Sequence, residues 1–139
     1  MTDILMEKCK AAKAAAPILA TSYGETRNKA ISLMADALER DMEAILAANA
    51  KDLENAASNN MRASLVDRLT LNEARIKAMA ASLRKVAMLP DPLGGGDVWT
   101  RPNGMRIPRV RVPIGLIAII YEARPNVSAD AAAICIKSG

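Results

Sequence analysis

From Thr2 to about residue 90, apolar side chains recur at spacings of three and four, the period of helices with one buried face. A first helix carries Leu5, Cys9, Ala12 and Ala16 on one face, with Thr2 placed to cap it. Pro17 lies inside that pattern, and its missing N–H predicts a kink or an early end. Ser22 and Glu25 spell a capping box for a second helix, whose stripe is Ile31, Met34, Leu38, Met42 and Ile45. The stripe runs on toward Leu53, with a bend predicted near Asn49. The polar stretch "NAASNNM" over 55–61 reads as a connection, followed by a short helix over 64–69 with Leu65 and Leu69 facing inward. Thr70 and Glu73 make a second capping box, with Asn72 as a rival cap, ahead of a helix bearing Ile76, Met79, Leu83 and Val86.

At Leu89 the pattern changes. "LPDPLGGGD" ends the helices with two prolines and three glycines. No G-x-G-x-x-G or GK[ST] follows, so the glycines read as a flexible link rather than a phosphate cradle. Beyond them the period becomes two. Asn103-Gly104 signals a tight hairpin joining Val98–Arg101 to Met105–Val112, and Pro102 and Pro108 put that hairpin at an edge. The run Ile114–Tyr121 is nearly all apolar and bounded by Gly and Pro, the texture of a parallel strand buried on both faces. From Val127 a final helix is predicted, capped by Asn126 or Ser128, with Asp130 in its first turn and Lys137 in its last.

Composition narrows the chemistry. With 139 residues, half of them apolar, the chain is expected to form one domain, with or without a helical appendage. It has no Phe, one Trp and two Tyr, so its core must be aliphatic and alanine-rich. Histidine is absent, which removes His-dependent nucleophilic triads and His-based metal sites, and no metal site is expected. Cys9 and Cys135 have no CxxC spacing and read as buried, reduced small hydrophobes of a cytoplasmic protein. The net charge of +4 is mild. Arg101, Arg106, Arg109 and Arg111 cluster in a stretch without acids, but only Trp99 accompanies them, so a nucleic-acid stacking platform is not indicated. No secretory signal is seen, and the longest apolar run is too short to span a bilayer.

Strand, tight turn and helix make the first step of a βαβ unit, and ligands of open α/β sheets gather at the carboxyl ends of such strands. The elbow Glu122–Asn126 occupies that place. Asn126 is read from spacing alone as a helix cap or as a neutral donor facing developing negative charge. Arg124 and Glu122 are read as a local pair or, for Arg124, as a contact to an anion. Pro125 stops the strand and holds Arg124 extended.

The stretch "RVPIGLIAIIYEARPNVSADAAAICIKSG" resembles a signature of the gamma-glutamyl phosphate reductase family, within the aldehyde dehydrogenase superfamily. "ANAKDLENA", "LVDRLTLNEARI", "LPDPLG" and the "PNGMRIPRVRVP" hairpin also resemble that family, in order. The resemblance implies an α/β, aldehyde-dehydrogenase-like fold: N-terminal helices over 1–90, a Pro/Gly linker over 91–97, and a β-hairpin oligomerisation arm over 98–112. The first strand and helix of a dinucleotide-binding sheet would occupy 113–139, and the sheet would be incomplete. It implies NADPH-dependent reduction of L-glutamate 5-phosphate to L-glutamate 5-semialdehyde, with release of phosphate, in proline biosynthesis. It implies an oxyanion-donor role for Asn126, and contacts from Tyr121, Arg124 and Pro125 to NADP(H). By the same resemblance the chain is an N-terminal fragment covering about the first third of the family's length. The catalytic cysteine region lies outside it, neither Cys9 nor Cys135 stands in for that cysteine, and the chain alone would be inactive. The expected partners are the small-molecule substrate and further copies of the enzyme through the hairpin, with no nucleic acid and no membrane. A non-catalytic helical and hairpin interaction module, or a pseudogene product, is the alternative.

Overall fold

A computed structural model describes residues 2–122 and 124–139, with Met1 and Ala123 outside it. The elements are α1 (Thr2–Ala20), α2 (Gly24–Arg40), α3 (Met42–Ser58), α4 (Ala63–Leu69), α5 (Glu73–Met88), β1 (Val98–Thr100), β2 (Arg106–Pro108) and α6 (Pro125–Lys137). The core sits where α2, α5 and α6 meet. Ile31, Ala35, Ala80, Leu83 and Ala133 are fully buried there, with Met34, Leu38, Val86 and Ile136 packed around them. Ile31, Met34, Leu38, Leu83 and Val86 belong to the stripes expected from the sequence, whereas Met42 and Ile45 lie outside this core and the buried alanines carry no positional signal in that pattern. Alanine from all three helices lets the axes approach closely, while Ile31, Ile76 and Leu83 supply the bulk. Each of those three contributes about 1.5–3 kcal/mol by leaving water.

Several helix signals resolve differently from the sequence reading. The long second helix breaks at Asp41, not near Asn49. At Asp41 the carboxylate is held by the preceding Arg40 through two hydrogen bonds, of 2.9 and 2.8 Å. Asn49 instead stays helical because its amide has buried partners. It donates to the Leu69 carbonyl at 2.9 Å and accepts from the Leu71 N–H at 2.8 Å, bracketing the turn between α4 and α5. Neither capping box forms. Ser22 donates to the Leu19 carbonyl at 2.6 Å and closes α1, leaving Tyr23 as the cap position of α2 without a side-chain bond. Thr70 likewise turns back to Val66, and Asn72 caps α5 by accepting from the Arg75 N–H at 2.8 Å. α1 continues through Pro17 to Ala20. The side chain of Thr2, expected as a cap, is outside what is described.

Two buried cations fasten the bundle. The Lys137 ammonium, only 6% exposed, donates to Asn28 Oδ1 at 2.6 Å and to the carbonyls of Ala87 and Leu89 at 3.0 and 2.6 Å. It thereby satisfies two carbonyls at the end of α5 that no helical N–H reaches. Arg27 pairs with Asp91 at 2.6 Å and also donates to the Ser22 carbonyl. The Leu93 backbone N–H, and then Arg27, hold the Asp91 carboxyl below its ordinary range.

The hairpin is antiparallel, with Val98 opposite Pro108, Trp99 opposite Ile107 and Thr100 opposite Arg106. Its ladder runs further than the two short strands. Arg109 N–H donates to Asp97 O at 2.8 Å, and Gly94 N–H donates to Arg111 O at 3.0 Å. Gly94 and Gly95 are therefore both paired with Arg111 along this ribbon, and Gly96 lies against the Arg109 carbonyl, so the stretch is not a slack link. Gly96 is obligatory there, since a Cβ on it would lie 1.6 Å from the Arg109 carbonyl oxygen.

The run Ile114–Tyr121 is not a strand in this structure. It has no ladder partner among the described residues, and Ile114 and Ile120 are 90% and 99% exposed. A parallel strand needs a neighbour reached by a crossover connection, and no such strand is present among the described residues. Cys9 is exposed on α1, against the expectation of burial, because α1 packs little against the α2–α5–α6 core; Cys135 is half-buried.

Candidate active site

The start of α6 is built as Pro125 dictates. Arg124 is extended, with φ −124° and ψ 101°, and Pro125 takes the first helical position, where its missing N–H costs nothing. Asn126 and Ser128 both lie inside the first turn, and neither caps the helix. Their side chains are used otherwise. Asn126 Nδ2 donates to Asp130 Oδ2 at 3.0 Å, one turn further on, and the Ser128 hydroxyl bonds the Tyr121 hydroxyl.

The Asn126–Asp130 bond uses one of the two amide hydrogens. The other has no partner among the described residues, and the carboxylate orients the amide plane. Asn126 and Asp130 line a cavity of about 420 Å³ between the first turn of α6 and the α4–α5 connection. Arg124 and Pro125 line it too, and Asp67, Arg68 and Arg75 form the opposite wall. Tyr121 is not part of the lining; its hydroxyl is tied to Ser128 outside the cavity.

The cations on these walls differ in commitment. Arg75 is occupied, donating to the carbonyls of Asp67 and Thr70 at 2.5 and 2.6 Å and to the Asp67 carboxylate at 3.0 Å. Arg68 and Arg124 have no ion-pair partner among the described residues, so the local Glu122–Arg124 pair does not form. A free guanidinium beside a helix start and an oriented amide is an arrangement that receives oxygen anions.

Sequence reasoning brought Arg124, Pro125 and Asn126 to this place and missed the far wall. Asp130 was legible in principle, since it stands at i+4 from Asn126, the spacing at which side chains on a helix meet. Arg68 carried no such signal: only Leu65 and Leu69 of α4 stand out by period.

Neither cysteine shares the cavity. Cys135 is nine residues along α6 from Asn126, about 14 Å at the helical rise. Cys135 instead lines a separate cleft with Pro92, Leu93 and Ile114.

The chain is thus of the α/β type, with a helical core, a hairpin arm and an amide donor presented at the start of a helix beside uncommitted arginines. Its homologues in sequence and in fold are gamma-glutamyl phosphate reductases. The enzyme from Thermoanaerobacter sp. (strain X514) is 55% identical over 133 residues, 95% of this chain and 32% of that protein. The enzyme from Brucella suis biovar 1 (strain 1330) is 51% identical over 140 residues, 100% of this chain and 33% of its own. The crystal structure of the Thermotoga maritima enzyme matches with a TM-score of 0.90 and 44% identity, over 96% of this chain and 33% of that one. The Saccharomyces cerevisiae enzyme matches with a TM-score of 0.87 and 34% identity, over 93% of this chain and 33% of that one. No protein-family model matches. The chain spans about a third of the length of these relatives.

Proposed function

We propose that this chain supplies the oxyanion-donor elbow of a gamma-glutamyl phosphate reductase, acting in proline biosynthesis in the cytoplasm. The reaction is NADPH-dependent reduction of L-glutamate 5-phosphate to L-glutamate 5-semialdehyde, with release of phosphate. The observation that carries this reading is the Asn126 amide, oriented by Asp130 and turned to a cavity rather than spent as a cap. As a thiolate adds to the acyl phosphate carbonyl, negative charge gathers on its oxygen. A neutral donor fixed beforehand stabilises that charge without reorganising.

Arg124, without an ion pair at the start of α6, fits the anionic end of the substrate or of NADP(H). Tyr121 and Pro125 would flank the nicotinamide end, Tyr121 being held by Ser128 and Pro125 by its place in the first turn. NADP(H), when bound, supplies the hydride. The nucleophilic thiol comes from outside this chain, since Cys135 is too far along α6 and Cys9 lies on α1. The chain alone is therefore inactive. The hairpin over 98–112, with both strands facing solvent, serves as the arm that joins copies of the enzyme.

The test is NADPH oxidation with freshly generated glutamyl phosphate, measured on a full-length protein carrying this sequence and on the 139-residue chain. Turnover by the first and none by the second is expected. Turnover by the short chain, or none by the full-length protein, would overturn the proposal.

A further inference from the structure

The cavity beside Asn126 has a second wall that the acyl-transfer chemistry does not use. Its charged groups can be sorted by what they already bind. Arg75 and Asp67 are committed to each other and to the backbone of the α4–α5 turn. Arg124 adjoins Asn126 and belongs with the reacting end. That leaves one cation, Arg68 on α4, without an ion pair among the described residues. It leaves one anion, Asp130, whose Oδ2 accepts from Asn126 while no hydrogen bond to Oδ1 exists among the described residues.

We infer that Arg68 on this wall and the free oxygen of Asp130 on the α6 side recognise the amino-acid head of the substrate, Arg68 receiving the α-carboxylate and Asp130 the α-ammonium. The inference rests on the reading of the site as a glutamyl phosphate reductase. The chemistry of the substrate supplies the match. L-Glutamate 5-phosphate carries its reacting carbonyl at one end and a zwitterionic head at the other, separated by two methylenes. A guanidinium fork pairs with a carboxylate through two parallel bonds, and a carboxylate is the ordinary partner of an ammonium. Because Asp130 touches Asn126, the head is registered against the oxyanion donor along a single helix turn. At about 420 Å³ the cavity has room for a five-carbon amino acid.

The test uses the reverse reaction of a full-length protein carrying this sequence, in which an aldehyde, phosphate and NADP⁺ give the acyl phosphate and NADPH. Three aldehydes are compared: glutamate 5-semialdehyde, 5-oxopentanoate, which lacks the ammonium, and 4-aminobutanal, which lacks the carboxylate. Arg68→Gln is expected to lower kcat/KM for the two carboxylate-bearing aldehydes by about 10- to 100-fold relative to 4-aminobutanal, the range of a charged hydrogen bond. Asp130→Asn is expected to lower it for the two ammonium-bearing aldehydes relative to 5-oxopentanoate. Arg68→Lys should recover part of the loss. These ratios are insensitive to any defect common to all three substrates. An equal loss on all three in either variant would overturn the assignment of that residue, while the reductase reading would stand. A parent protein inactive toward glutamate 5-semialdehyde would overturn both.

Discussion

Lys137 at the end of α6 reaches Asn28 on α2 at 2.6 Å, across the top of the core, and takes two α5 carbonyls on the way. One ammonium thus ties together the three helices that form the core. Its donors are spent on uncharged oxygens, and the nearby Asp91 carboxylate, held low by the Leu93 N–H and Arg27 and in smaller part by Lys137, supplies opposing charge. Removing the ammonium leaves those oxygens unpaired and buried. Lys137→Met, which keeps the stem but not the charge, is expected to destabilise the chain by about 1.5–3 kcal/mol. Urea denaturation followed by circular dichroism measures it, and an unchanged midpoint would show that the bonds contribute nothing.

Asp91 gives the fold an acid-sensitive link. The Leu93 N–H, and next the Arg27 guanidinium, hold its carboxyl below the ordinary value of 3.8. A carboxyl held low adds stability that is fully present above pH 3.8 and is lost as the pH falls through the depressed folded value. Denaturation midpoints taken between neutral pH and pH 2 should therefore fall in the acid range. Asp91→Asn should lower stability at neutral pH and flatten that fall. An acid limb of the same steepness in the variant would remove Asp91 as its cause.

Gly96 is expected to tolerate no side chain. Gly96→Ala drives a methyl into the Arg109 carbonyl and should cost about 1–3 kcal/mol by overpacking. The loss should be local: amide exchange at Arg109 and Arg111 should quicken while the α5 amides stay protected. Unchanged protection at both arginines would contradict the extended ladder.

These points mark what the sequence made legible. Periodicity found much of the buried stripes of α2 and α5, and the Asn103-Gly104 pair found the hairpin turn. Side-chain bonds over long separations had no local signature. Asn49 reads as a bend signal because asparagine is a poor helix former, yet it stays helical when Leu69 and Leu71 occupy its amide. The three glycines read as slack because glycine is free in isolation; Arg111, which pairs with Gly94 and Gly95, is far along the chain. In the candidate site, Asn126, Arg124 and Pro125 were legible because they share one elbow. Arg68 was not, because only the tertiary fold, with α4 on α3 and α5 on α6, brings it to the same cavity.

The apolar run before the elbow has its own consequence. Ile114 and Ile120 stand almost wholly in solvent, in a stretch with no backbone hydrogen bonds among the described residues, a template for association. Replacing both by lysine should raise the monomeric fraction of the chain in light scattering. An unchanged distribution would place self-association elsewhere.

The most direct measurement is the turnover of Asn126→Ala in a full-length protein carrying this sequence, with glutamyl phosphate and NADPH saturating. An oxyanion donor removed from an otherwise intact site lowers kcat by about 10²–10³-fold, and that loss is the expected result. A turnover number equal to that of the parent enzyme would contradict the role assigned to Asn126 and, with it, the site built around the elbow.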